Sequence, residues 1–146
     1  MSKEMKINKI LLPIDGSEAS FKTAKYAIAL ANQINASIIM LHVITVPDFP
    51  RYLKSIDVYY EEVKKEVENW FDMIADLWQS KNLKIKTKIV TGVFSVVESI
   101  VEVADKENVN IIVIGSRGRS QFKKLLLGSV TNGVVTHAKC PVLVVK

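Results

Sequence analysis

The chain has 146 residues, 49% of them hydrophobic and 24% charged, and its 20 Lys and Arg outnumber its 15 Asp and Glu for a net charge of +5. That length suits one domain spanning 1–146, which can bury roughly two-thirds of its unfolded surface without a disulfide or metal staple. A single cysteine, Cys140, excludes an intramolecular disulfide; with no secretory leader and no apolar run long enough to span a membrane, a reducing cytoplasm is the expected location.

Five strand-like apolar runs alternate with helix-length segments, the pattern of βα units around a mainly parallel sheet. The first run, Lys9 to Ile14, leads through Asp15-Gly16-Ser17 into a helix from about Glu18 to Asn35. Either Ser17 or Asp15 can cap that helix. Ser37 to Val43 reads as the second strand, and Pro47 and Pro50 mark 44–56 as a connecting loop. Val63, Val67, Trp70, Ile74 and Leu77 then recur at steps of four and three, which predicts the longest helix over 57–81 with one apolar stripe. Trp70, Phe71 and Trp78 on that helix read as packing residues rather than a base-stacking platform.

Lys84 to Val90 alternates lysine with Ile or Thr, as a strand with one buried and one wet face does, and lysines discourage edge pairing. Thr91-Gly92 is expected to turn the chain into a helix from about Ser95 to Glu107, with Val97, Ile100, Val101 and Ala104 inward. Ile111 to Ile114 forms the fourth strand, Gly128 or Ser129 to Ala138 the last helix, and Pro141 to Val145 the fifth strand. Cys140 reads as a small core or near-core residue. His42 and His137 read as structural, since their separation offers no metal-ligand spacing.

Right-handed crossovers in the order 3-2-1-4-5 give a three-layer α/β fold, an open parallel sheet with helices on both faces. The lysine-rich strand then lies at one edge and the fifth strand at the other. That second edge carries no charged residue between Pro141 and Val145, so it predicts a homodimer in which two fifth strands pair antiparallel about a twofold axis. The chain reverses direction between strands one and four, where open α/β sheets bind ligands.

Two glycine pairs frame that point. Gly115-Ser116-Arg117-Gly118 is expected in the loop leaving strand four, and Gly128-Ser129 opens the last helix with Val130 and Thr131 in its first turn. Absent side chains let main-chain amides approach an anion, and the first N–H groups of a helix lack internal partners and carry partial positive charge. Arg117, Arg119, Lys123 and Lys124 make the intervening segment basic. Taken singly, such glycines make turns and such cations a solvated surface. Their convergence with Asp15 and Val43 points instead to a polyphosphate held mostly by backbone, with Asp15 facing sugar or base or else serving as a helix cap.

Other chemistries find less support. No Gly-x4-Gly-Lys-Ser/Thr occurs and no Gly-x-Gly-x-x-Gly follows the first strand, so neither a P-loop nor a dinucleotide fingerprint is present. A phosphotransferase needs a group to position its acceptor, and no such base is evident. Charges are interspersed, with no basic stripe interleaved with aromatics to engage nucleic acid.

Leu12-Pro13-Ile14-Asp15-Gly16-Ser17 and Gly115-x-x-Gly118-x9-Gly128-Ser129, together with Leu41-His42-Val43 and the closing Cys140 to Val145, resemble the universal stress protein family over essentially the whole chain. The resemblance implies a five-stranded parallel sheet, dimerisation through the last strand and, in the branch that keeps the glycine pattern, binding of ATP, with ADP or AMP as alternatives and Mg2+ arriving on the phosphates. It implies that Asp15 contacts the adenosine moiety while Pro13 and the main chain of Val43 border the base. Gly115 and Gly118 would admit backbone to ribose and phosphates, and Gly128, Ser129 and Val130 would hold the phosphate chain. The leading expectation is an ATP-dependent regulatory or stress-response switch. A slow or partner-dependent ATP hydrolase or phosphotransferase, and a nucleotide-free dimeric scaffold, are the other readings.

Overall fold

The strands of the protein run from four to nine residues, and serines in the connections that follow two of them begin helices. The computed structural model describes residues 4–45, 55–76, 83–92, 95–117 and 127–146. In chain order the elements are β1 (Lys9–Pro13), α1 (Glu18–Ile34), β2 (Ser37–Thr45), α2 (Ile56–Asp76), β3 (Ile85–Gly92), α3 (Val96–Lys106), β4 (Ile111–Gly115), α4 (Ser129–His137) and β5 (Val142–Val145). All neighbouring strands pair parallel in the order β3-β2-β1-β4-β5, which is the expected three-layer α/β architecture.

Strand alternation divides the core into two layers. Ile10, Leu12, Ile38 and Met40 face α1 and α2, where they pack with Ala24, Ala27, Ile28, Val67, Phe71 and Ile74. Leu11, Ile39, Leu41 and Val43 face the opposite way, against Ile100, Val103, Ala104 and Val134 of α3 and α4. Two serines start helices. Ser17 Oγ accepts from the Ser20 N–H at 3.1 Å and Ser95 Oγ from the Glu98 N–H at 3.0 Å, each cap contributing about 1 kcal/mol. α1 stops at Asn35, whose φ of 57° places it in the left-handed region that asparagine tolerates.

The structure revises several expected boundaries. Thr91 and Gly92 belong to β3 rather than to a turn, because β2 runs on to Thr45 and the ladder continues through Ile44↔Thr91 and Thr45↔Gly92. A side chain at Gly92 would stand 2.9 Å from Val43 Cγ1, so its glycine serves packing rather than a bend. Ile44, Thr45 and Ile56 therefore leave the presumed loop for β2 and α2. On α3 the buried face is Ile100, Val103 and Ala104; the i, i+3, i+4 geometry turns Val103 inward more fully than Val101. On α2, Val67, Phe71 and Ile74 are fully buried while Val63 and Trp70 are partly so; Leu77 and Trp78 lie outside the described residues.

The lysine face of β3 is not simply wet. Lys88 Nζ lies 3.0 Å and Lys86 Nζ 3.9 Å from the carboxylate of Glu107, while Lys9 Nζ donates to the Glu107 carbonyl at 2.8 Å. The hydrogen bond from Lys88 foremost, then the charges of Lys86 and Lys88, hold the Glu107 carboxyl below the usual carboxylate range. Cys140 is half-buried against the α3/α4 layer, and this burial pushes its thiol up.

Candidate functional site

β1 and β4 are adjacent and parallel, but the helices that follow them depart to opposite faces of the sheet. Two chains diverging from neighbouring strand ends leave a crevice between them. Here it forms an open cleft of about 560 Å3, within the range of roughly 300–1,000 Å3 usual for small-molecule sites.

Pro13, Ile14, Asp15, Val43, Gly115, Arg117, Gly128, Ser129, Val130 and Thr131 all line this cleft. Ser116 does not, and Gly118, Arg119, Lys123 and Lys124 lie outside the described residues. Residues from four separate stretches of sequence are thus brought together by the sheet.

Several of these residues have structural duties that the sequence did not reveal. Gly115 ends β4 rather than entering the loop. A Cβ there would stand 2.8 Å from Thr23 Oγ1 and 3.8 Å from the Ala19 carbonyl, so this glycine makes room for α1. The Ser116 N–H donates to the Val145 carbonyl at 2.7 Å, and the Ser116 carbonyl accepts the Gly128 N–H at 2.8 Å. Those two amides are already engaged within the fold and are withdrawn from the set offered to an anion. Thr131 is buried, and its hydroxyl donates to the Gly115 carbonyl at 2.6 Å. Its side chain is a brace between α4 and β4.

What remains for an anion is the opening turn of α4. Ser129, Val130 and Thr131 have no carbonyl four residues back within the helix, and the macrodipole adds positive potential. Gly128 precedes them as N-cap with φ −59° and ψ 159° and with no side-chain cap. Arg117 adds its charge on the same β4 side.

Asp15 holds a different position. Its Oδ1 accepts from the Ser17 N–H at 2.9 Å and from Ser17 Oγ at 2.5 Å. Ser17, not Asp15, caps α1. Asp15 is a half-buried carboxylate fixed in the cleft wall, where it can accept hydrogen bonds from a ligand's hydroxyl or N–H groups.

One whole wall went unread in the sequence. Tyr59, Val63, Glu66 and Trp70 of α2 line the cleft, and their spacing of four, three and four places them on one helical face. That register was the available signal, but Tyr59 and Glu66 fell outside the apolar stripe. His42 also lines the cleft. It occupies the strand face shared with Ile38 and Met40, and a polar side chain at an inward position near a strand's carboxyl end was its signal. Among the described residues, no group of three or more His, Cys, Asp or Glu is placed to hold a metal ion.

The universal stress protein family model matches residues 6–146. The chain belongs to the universal stress protein family. It is 34% identical over 140 residues to the universal stress protein MJ0531 of Methanocaldococcus jannaschii, covering 94% of this chain and 81% of that one. The solved structure of MJ0577 from the same organism superposes with a TM-score of 0.78 at 36% identity, with 97% of each chain covered. A universal stress protein from Archaeoglobus fulgidus, solved in complex with dAMP, shares the fold at a TM-score of 0.68 and 22% identity, covering 97% of this chain and all of that one. Among the described residues of this universal stress protein, no helix is long and apolar enough to cross a membrane.

Proposed function

We propose that this universal stress protein binds ATP in the β1/β4 cleft, with Mg2+ carried on the phosphates, and acts as a homodimeric regulator of the cytoplasm. The observation that carries the reading is the polarity of one cleft. The start of α4 and Arg117 supply positive potential on the β4 side, the Asp15 carboxylate stands on the β1 side, and apolar residues such as Val43 and Ile100 line the space between. Phosphates fit the first, a ribose or base edge the second, and a flat heterocycle the third. The dAMP-bound Archaeoglobus fulgidus protein adds that this fold accommodates an adenine nucleotide.

In this reading the amides of Ser129 and Val130 hold the phosphate chain, Arg117 neutralises it, and Gly128 keeps the approach clear. Asp15 receives hydrogen bonds from the adenosine moiety, and Pro13, Ile14 and Val43 border the base. Gly118 would join Gly115 near the ribose. The edge of β5 away from β4, unpaired among the described residues, provides the dimer contact, with Leu143 exposed beside it.

Calorimetric titration with ATP, ADP and AMP in Mg2+ buffer tests the proposal. Saturable heat with a thermal shift is expected, and ATP or AMP should appear in mass spectra of the freshly purified, denatured protein. Absence of heat, of a melting shift and of copurified nucleotide would leave the dimeric scaffold as the function.

A further inference from the structure

The turn that presents Asp15 is gripped more firmly than a helix start requires. Ser17 alone caps α1. Yet Ile14, one residue before Asp15, is bound twice: its N–H donates to the Leu41 carbonyl at 2.8 Å, and its carbonyl lies 2.6 Å from His42 Nδ1. A carbonyl only accepts, so Nδ1 carries the proton and donates it to Ile14. The imidazole in turn meets the Trp70 indole edge-to-face, with ring centroids 5.2 Å apart and planes at 85°.

Trp70 completes the grip on the other side. Gly16, one residue after Asp15, has φ +81°, and the indole fills the space a side chain would take there: a Cβ would stand 2.4 Å from Trp70 Cζ2. Imidazole and indole thus fix the residues flanking Asp15, one by a hydrogen bond to Ile14 and one by contact with Gly16. Binding groups must be held within roughly 0.5 Å of their working position by neighbours that are themselves locked.

We infer that His42 and Trp70 are positioning residues for the nucleotide, clamping the Ile14-Asp15-Gly16 turn from β2 and α2 so that the Asp15 carboxylate meets the adenosine moiety. The inference rests on the proposed nucleotide function and assigns a role to a strand and a helix that contribute nothing to the glycine pattern. It also makes the position of α2 a determinant of affinity, because a shift of that helix carries Trp70 away from the turn.

A double-mutant cycle read by ATP calorimetry on the full chain is the test. His42→Leu, which removes the donor, should weaken ATP binding about five- to tenfold. His42→Asn, whose Nδ2 lies as many bonds from Cα as the imidazole Nδ1, should return affinity to within about twofold of the original. In an Asp15→Ala background the Leu substitution should matter by less than about twofold, since the group it positions is gone. If the Leu protein melts below the assay temperature, Trp70→Phe takes its place in the cycle, with the same outcomes expected. Unchanged affinity in the Leu or Phe protein, or an equal loss with and without Asp15, overturns the inference while leaving nucleotide binding intact. Failure of the unsubstituted chain to bind ATP removes both.

Discussion

Thr131 and Gly115 are joined by a 2.6 Å hydrogen bond from hydroxyl to carbonyl, which ties the first turn of α4 to the last residue of β4 across the floor of the cleft. Thr131→Val keeps the shape but leaves a carbonyl in a buried setting without this donor. Such a loss costs about 1–3 kcal/mol. Urea unfolding should show that decrease, Thr131→Ser should recover most of it, and the Val variant should also bind ATP more weakly because the α4 amides lose their anchor.

Gly128 has φ −59° and ψ 159°, extended backbone that any residue adopts. No backbone strain opposes Gly128→Val, and its stability cost, about 1 kcal/mol, is that of a branched aliphatic at an N-cap. Branched bulk at the entrance to the α4 amides should reduce ATP affinity by more than about tenfold. Calorimetry beside a thermal melt separates the two effects, and a large melting decrease with intact affinity would contradict this account.

Gly16 is the opposite case. Its φ of +81° and the Trp70 ring 2.4 Å from any added Cβ make Gly16→Ala strained in backbone and packing together. A destabilisation of about 1–3 kcal/mol is expected from the backbone conformation, with further cost from displacing the indole. The denaturant midpoint and the ATP affinity should fall together.

The β5 edge yields a test of the dimer that spares the sheet. Pro141 and Val145 turn their carbonyls toward β4, where Ile112 and Ser116 donate to them. By the alternation of a parallel ladder, Val144 points its N–H outward. Val144→Pro removes an outward donor without breaking a β4–β5 bond. Light scattering coupled to size exclusion should report a dimer for the original chain and a monomer for the variant.

Glu107 ties acid behaviour to the Lys88 contact. Its folded-state carboxyl titrates below the usual range, so the stability it contributes is complete above that range and disappears as pH falls through the lowered value. The original protein should melt above Glu107→Gln at pH 7. The gap should close in acid, and a gap that stayed constant would contradict the pairing with Lys88.

Much of the fold was legible because hydrophobic period and crossover handedness are local rules with global consequences. Runs such as Ile111 to Ile114 announced buried strands, the Asp15-Gly16-Ser17 turn announced the start of α1, and the order of strands followed from right-handed connections. Boundaries failed where pairing overruled propensity. Thr91-Gly92 looks like a turn in isolation, yet Ile44 and Thr45 draw it into the ladder.

For the site, the sequence by itself determined that Asp15, Val43, Gly115 and the start of α4 come to the sheet's carboxyl edge, because strand ends and helix starts follow from periodicity and the switch point from topology. The tertiary structure alone decided which groups are spent within the fold. Ser116 and Gly128 engage their amides with carbonyls at 2.7 and 2.8 Å, and Gly115 lies against α1; such contacts join residues far apart in the chain. It also decided that α2 forms a wall, with His42 and Trp70 meeting beside Asp15. Helical period gives a face but not the rotation at which that face docks; packing of Val67, Phe71 and Ile74 against the sheet sets it.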